Sequence, residues 1–188
     1  TDEDHYGALT TLTFRPKVSW AREFLLEGGL DFQRQNNQSK RYLTIERTRQ
    51  SQTRDQDFSL NTYGAYVQAV IKPIDKLKIV PAFRIDKVTG EFANKLAGTT
   101  FDVNDYGLIK QPKISAVFSP TKNYSAYANW GRTFQIGVGA SSFLIPPRTK
   151  DLAPSINEGW ELGLKMTPLD WIEGRVAFWQ QDASGEER

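Results

Sequence analysis

Glu23-Phe24-Leu25-Leu26-Glu27-Gly28-Gly29-Leu30-Asp31-Phe32-Gln33 sorts into two rows. In an extended strand Phe24, Leu26, Gly28, Leu30 and Phe32 share one face, and Glu23, Leu25, Glu27, Gly29, Asp31 and Gln33 share the other. Carboxylates along one face leave no dry core on that side, because an unpaired buried charge is too costly. The stretch therefore reads as a wall with water on one side and lipid or protein on the other.

Two further segments repeat the pattern. Over residues 77–86 the row Leu77, Ile79, Pro81, Phe83, Ile85 opposes Lys78, Val80, Ala82, Arg84, Asp86. Over 158–166 the row Trp160, Leu162, Leu164, Met166 opposes Glu161, Gly163, Lys165. Weaker strands rich in β-branched and aromatic residues are expected at 6–14, 60–71, 113–118, 124–130 and 172–180. Residues 63–71, the stretch freest of breakers, keep period two and read as strand rather than helix. Eight strands in four hairpins result. The hairpin turns each carry a proline: Pro16, Pro73, Pro120 and Pro168. Between hairpins, 34–57, 87–111 and 132–157 read as long polar loops, well beyond the usual connections of about 4 to 6 residues. Short turns at one rim and long loops at the other predict an all-β, transmembrane, antiparallel up-and-down barrel, with about eight strands of a larger wall present.

Composition narrows the function classes. The 188 residues carry a net charge of +2 from 24 basic and 22 acidic side chains, which gives no nucleic-acid footprint. No apolar run reaches the length of a membrane helix. Mean hydropathy is −0.52, and barrel strands hide their apolar half by alternation. Cysteine is absent, so thiolate metal sites and a cysteine nucleophile are out, and with His5 the single histidine and neither a Gly-x-Ser-x-Gly nor a His-Glu-x-x-His motif present, enzyme chemistry finds little support. No enzyme activity and no cofactor are expected. The Gly137-Val138-Gly139-Ala140 string lacks the third glycine and the following helix of a dinucleotide fingerprint.

Longer motifs carry a resemblance. Pro112-Lys113-Ile114-Ser115-Ala116-Val117-Phe118-Ser119-Pro120 leads to Tyr124-Ser125-Ala126-Tyr127-Ala128-Asn129-Trp130-Gly131-Arg132-Thr133-Phe134. A Pro-Lys strand, a proline turn and an aromatic strand ending in Gly-Arg-x-Phe resemble the barrel of TonB-dependent outer-membrane receptors. Residues 152–165, with Trp160-Glu161-Leu162-Gly163-Leu164-Lys165, are similar to that family's aromatic-Glu-x-Gly-x-Lys segment, with Ser155 where Glu is commoner. Residues 63–86 look like its Tyr-x-Gln hairpin ending in Arg-x-Asp, with Ala82 and Ile85 departing from the pattern.

The resemblance implies a plugged barrel of about 22 strands, of which residues 1–188 would be an excised part of the wall, with plug and TonB-binding segment outside it. It further implies the outer membrane of a Gram-negative bacterium and active uptake of a scarce nutrient. An iron-siderophore complex is the first expectation; cobalamin, another cofactor or an oligosaccharide are alternatives. The implied partners are the TonB-ExbB-ExbD energy-coupling complex and outer-membrane lipid with lipopolysaccharide. A soluble β-sandwich binding module is the rival from another class, and it would bury Phe24, Leu26, Leu30, Phe83 and Ile85 in a dry core.

Candidate ligand contacts fall at the long-loop rim. Arg41 and Arg47 belong to a segment with Arg34, Lys40, Arg49 and Arg54 that suits an anionic ligand or lipid phosphates; the plainer account is a solvated charged loop. Trp130, Arg132, Phe134 and Phe143 form a second group, placed by the resemblance at the vestibule to stack on and pair with a metal chelate. Trp130, Trp160 and Tyr124 equally fit an interfacial aromatic girdle, and Trp171 and Trp179 fit two interfaces or ordinary packing. Glu91, Asp102 and Asp105 are acids that a cation would need gathered, though their spacing matches no calcium loop. Asp31 and Glu161 are expected to pair with Arg84 and Lys165 across neighbouring strands.

Overall fold

A computed structural model describes residues 2–137 and 139–185. The strands are β1 (Asp2–Phe14), β2 (Glu23–Ile45), β3 (Thr48–Ile74), β4 (Leu77–Asn94), β5 (Thr99–Asp102), β6 (Ile109–Phe118), β7 (Tyr124–Gln135), β8 (Ser155–Leu169) and β9 (Ile172–Ser184). Eight of them form one antiparallel meander in the order β1-β2-β3-β4-β6-β7-β8-β9, and the short β5 pairs only with β4. The sheet is open, with β1 and β9 as its edges.

Register carries the two faces across the whole sheet. Leu30, Ala65 and Ile85 are aligned on one face, and Asp31, Gly64 and Asp86 on the other. The apolar face is bare: Leu12 is 75% exposed, Leu30 65%, Leu162 50% and Phe178 70%. Total accessible surface is 13071 Å². A compact monomer of 21.4 kDa would expose about 9,100 Å². An excess of that size, together with a single sheet whose apolar face no second layer covers among the described residues, fits a membrane wall rather than a sandwich core. On β2 the apolar face runs from Phe24 to Phe32, about 26 Å at 3.3 Å per residue. That is close to the outward apolar band of about 25 Å in outer-membrane barrels. Aromatic rings mark both limits. Trp20 packs on Phe24 at 5.3 Å and Phe32 on Tyr63 at 5.1 Å.

The prolines sit where the ladder gives way. Pro73 and Pro168 lie within register shifts just before two-residue turns. The β3–β4 ladder is interrupted between the Gln68–Ala82 and Ile71–Ile79 pairs, which lets Pro81 occupy an interior strand without costing a bond.

The expected first loop is not a loop. β2 and β3 pair through 34–57 to a two-residue turn at Glu46-Arg47, closed by the Ile45–Thr48 pair. Above the membrane both faces of a ribbon are wet, so the alternation that marks a strand disappears while the strand persists. Likewise β4 runs on to Asn94 and pairs with β5, so that 87–111 is largely sheet. The 132–157 segment holds a 3-10 turn (Gly139–Ser142) and a Val103–Phe143 bridge.

Glu46 and Arg47 have φ of 46° and 64°. Both central residues of this turn are thus left-handed, the geometry that favours Asn-Gly and costs other residues about 1 to 2 kcal/mol each. The double substitution Glu46→Asn, Arg47→Gly is expected to slow hydrogen exchange at the ribbon tip roughly fivefold or more. Unchanged exchange at Ile45 and Thr48 would contradict the turn assignment.

Candidate functional site on the inward face and long-loop rim

The polar face is built around Arg84. Its guanidinium reaches Asp31 through Nη1 at 2.7 Å and Nη2 at 3.0 Å, and Asp86 through Nε at 2.9 Å and Nη2 at 2.6 Å. Gln111 donates to Asp86 Oδ2, the oxygen that also accepts from Arg84 Nε. Asp31 and Arg84 stand on β2 and β4, two strands apart, and the side chains meet across β3 at Gly64. A Cβ there would collide with Arg84 and Asp31, so glycine is what lets the pair form. The same device recurs twice: Tyr66 lies over Gly29, and Tyr127 over Gly163. Tyr66 shares hydrogen bonds with Thr11 at 3.0 Å and Glu27 at 3.4 Å. Towards the short-turn rim, Glu161 accepts from Tyr127 and Arg175, and Arg175 donates to the Tyr127 hydroxyl at 2.7 Å. Lys165 faces the Tyr127 ring at 5.7 Å instead of pairing with Glu161. One expected cross-wall pair therefore forms as read, Asp31 with Arg84, and the other takes Arg175.

At the long-loop rim this face is roofed. Phe58 and Phe92, in the row of Gly64 and Asp86, pack with each other at 4.9 Å and with Phe143 at 5.7 and 5.9 Å. Val88, Tyr106 and Ile109 form an adjoining buried cluster with Leu60, Val103, Phe134, Ile136 and Ile156. Asn104 is fully buried; it donates to the Ser141 carbonyl at 2.9 Å and accepts from the Leu152 amide at 3.3 Å, tying the third connection down.

Two ion pairs brace the connections beyond the wall. Lys95 donates to Asp57 at 2.6 Å and Gln38 donates at 3.1 Å, which holds that carboxyl below its usual range. Lys87 at 2.7 Å and the Gly107 amide at 3.1 Å do the same for Asp105. A carboxyl depressed in the folded state contributes stability above its unfolded pKa and loses it as pH falls through the folded value. Exchange protection of the 95–108 connection is therefore expected to hold from pH 7 to about 5 and to fall below about 4. Protection that rises on acidification would overturn these pairings.

The expected site residues separate. Trp130 pairs with Ile114 and Trp160 on the apolar face, and Arg132 follows on the same row opposite Glu158. Arg132 donates to Glu158 through Nε at 3.0 Å and Nη2 at 2.6 Å, and Trp130 Nε1 donates at 3.3 Å. These two residues come together, but on the outward side, because strand parity fixes their direction once Leu162 faces out. Phe134 joins the buried cluster, and Phe143 is 0% exposed, so its ring is spent on packing. Val138, in the glycine-rich string, lies outside the described residues. Trp179 pairs with Glu161 on the polar face, while Trp171 occupies the two-residue turn before β9. Glu91 and Asp102 are cross-strand neighbours, but Asp105 is drawn off by Lys87, and no group of three acids or histidines converges among the described residues.

Arg47 is at the ribbon tip, and Arg41 is lower on the inward row, directly opposite Arg54. No carboxylate lies within ion-pair reach of either Arg41 or Arg54 among the described residues. Arg54 was one cation among several in sequence; two register shifts between Arg41 and Thr44 set it opposite Arg41, where a regular ladder counted from the Glu46-Arg47 turn would set Gln52.

Residues 1–186 match the family model for the TonB dependent receptor-like β-barrel. No curated protein matches the chain. Among solved structures, the unliganded ferric citrate transporter FecA superposes with a TM-score of 0.80 at 18% identity, over 94% of this chain and 27% of that one. The ferric-catecholate import receptor Fiu from Escherichia coli K12, in its closed form, gives 0.73 at 16%, over 96% and 31%. The alcaligin outer-membrane receptor FauA from Bordetella pertussis gives 0.69 at 17%, over 96% and 29%. The chain thus spans between a quarter and a third of the length of these structures, and at such identities the likeness is one of fold.

Proposed function

The chain belongs to the TonB-dependent receptor β-barrel family, and from that premise we propose that it is wall and rim of a Gram-negative outer-membrane receptor for an anionic ferric siderophore. The observation that carries this reading is the opposed pair Arg41 and Arg54 on the inward row above the wall. Like charges directly across a strand pair repel. A ligand bearing carboxylate or catecholate oxygens turns that repulsion into two charge-assisted contacts. FecA, Fiu and FauA, whose names refer to ferric citrate, ferric catecholate and alcaligin, support the cargo class. The wall supports the location: its edges β1 and β9 leave backbone groups that lipid penalises by several kcal/mol each, so both edges take partner strands in the membrane. Energy for uptake would come through the TonB-ExbB-ExbD complex.

Removing one charge-assisted contact costs about 1.5 to 3 kcal/mol, roughly ten- to hundredfold in affinity. Arg41→Gln with Arg54→Gln is therefore expected to weaken ferric siderophore binding at least tenfold in equilibrium titrations, and to do so less steeply as salt rises. Cobalamin or oligosaccharide that competes where ferric chelates do not would transfer the site to another cargo. Unchanged affinity for every ferric chelate would remove the two arginines from the site.

A further inference from the structure

The inward row of the β2–β3 ribbon changes character above the arginine pair. Along β2 it reads Gln33, Gln35, Asn37, Ser39 and Arg41, then Leu43 and Ile45, which are 49% and 55% exposed. The register shifts that follow Arg41 place their extra residues on β3: the Arg41–Arg54 pair is followed by Tyr42–Gln52, and that by Thr44–Arg49. β2 therefore keeps its alternation as far as Ile45. The Arg49 guanidinium lies over the Tyr42 ring at 4.2 Å, on the outward row, as this parity requires. Leu43 and Ile45 take no part in the Phe58–Phe92–Phe143 roof or in the buried cluster beside it. Two aliphatic side chains thus stand in water about 7 and 13 Å beyond Arg41, on the same face as the arginine pair.

We propose that this face takes an amphiphilic ferric chelate, with its anionic head on Arg41 and Arg54 and an alkyl or acyl tail laid along Leu43 and Ile45. A tailless chelate is held by the arginines alone and leaves both aliphatic side chains wet; a tail removes their apolar surface from water together with its own. Side chains at alternate positions form a strip one residue wide that runs along the strand. Such a strip matches an extended hydrocarbon chain, whereas a flat aromatic ring would cover one of the two residues. The strip adjoins the charged pair with no polar residue between them on the row. A head seated on the arginines therefore holds its tail at a high effective concentration over Leu43 and Ile45, so a weak apolar contact adds to affinity. This inference rests on the cargo reading of the arginine pair and adds the tail to it.

The test uses the membrane-embedded receptor in lipid nanodiscs, with empty discs subtracted, and two ferric complexes of a citrate-based chelator whose single amidated arm carries either methylamine or octylamine. Charge and iron ligands are the same in both, so the ratio of their affinities reads the tail alone. The wild-type receptor is expected to bind the octyl complex about tenfold more tightly than the methyl complex. Leu43→Thr with Ile45→Thr, which keeps strand-forming residues at both positions, is expected to remove most of that preference and to leave the methyl complex bound as before. The methyl complex thereby reports that the ribbon still presents its arginines. Thr44→Ser, on the outward row, is expected to keep the preference. Arg41→Gln with Arg54→Gln is expected to weaken both complexes by the same factor and preserve their ratio, so failure of the cargo reading and failure of the tail site give different patterns. Equal affinity of the wild type for the two complexes, a preference that survives in the Leu43, Ile45 variant, or an equal loss of both complexes in that variant would overturn the proposal.

Discussion

Replacing Arg84 with Ala is expected to destabilise the wall by about 3 to 5 kcal/mol, the range for removing one partner from a buried ion pair. The side chains of Asp86 and Asp31 are 1% and 9% exposed, against 32% for Arg84. Both carboxylates would be left close together with Gln111 as the remaining donor to Asp86. Urea unfolding of the membrane-embedded protein, followed by tryptophan emission, measures the loss. Adding Asp31→Asn and Asp86→Asn to Arg84→Leu is expected to restore most of it, because the cost lies in the uncompensated charges more than in the lost contact. A loss below about 1 kcal/mol for Arg84→Ala would mean that water reaches the carboxylates freely and that the inward face is not held by this network.

Leu164→Arg is expected to cost about 2 to 4 kcal/mol, the penalty for a lipid-facing arginine near the bilayer midplane of an outer-membrane barrel. Leu164 is 53% exposed on the apolar row of β8, midway between Trp160 and Pro168. Ser115→Arg, on the opposite face and aligned with Asn129 and Glu161, is expected to be nearly neutral, since an inward guanidinium meets water and a carboxylate. The contrast between two substitutions to the same residue isolates the face from the residue type. Equal unfolding free energies for the two variants would place water on both faces and end the wall assignment.

The wall was legible wherever its two faces meet different solvents. Residues 23–33, 77–86 and 158–166 announce themselves because one row must satisfy lipid and the other water, and the five weaker strands, expected from β-branched and aromatic content, also fall within observed strands. The same pattern vanishes in 34–45 and 48–57, where Gln, Asn, Arg and Ser fill both rows of a ribbon that is wet on both sides. Sequence then reads loop where backbone pairing continues. The outward direction of Arg132 was available from parity, two residues after Trp130, but a resemblance to vestibule residues pointed the other way. Phe143 was beyond reach, because its burial depends on an irregular connection folding back over Phe58 and Phe92. Gly64 carried no sign of its purpose either; its lack of a side chain matters only once Arg84 and Asp31 are known to meet above it.

In the proposed outer-membrane receptor, the β2–β3 ribbon determines what the cell's surroundings would touch first. From the Phe32–Tyr63 level it extends roughly 40 Å at 3.3 Å per residue, and both residues of its tip are exposed. An antibody or a phage tail approaching the surface would meet Glu46 and Arg47 before any other part of this sheet. The tip bears on neither the ion-pair network nor the aromatic roof, so a short peptide spliced between those two residues would be displayed clear of the membrane while the wall beneath keeps its register.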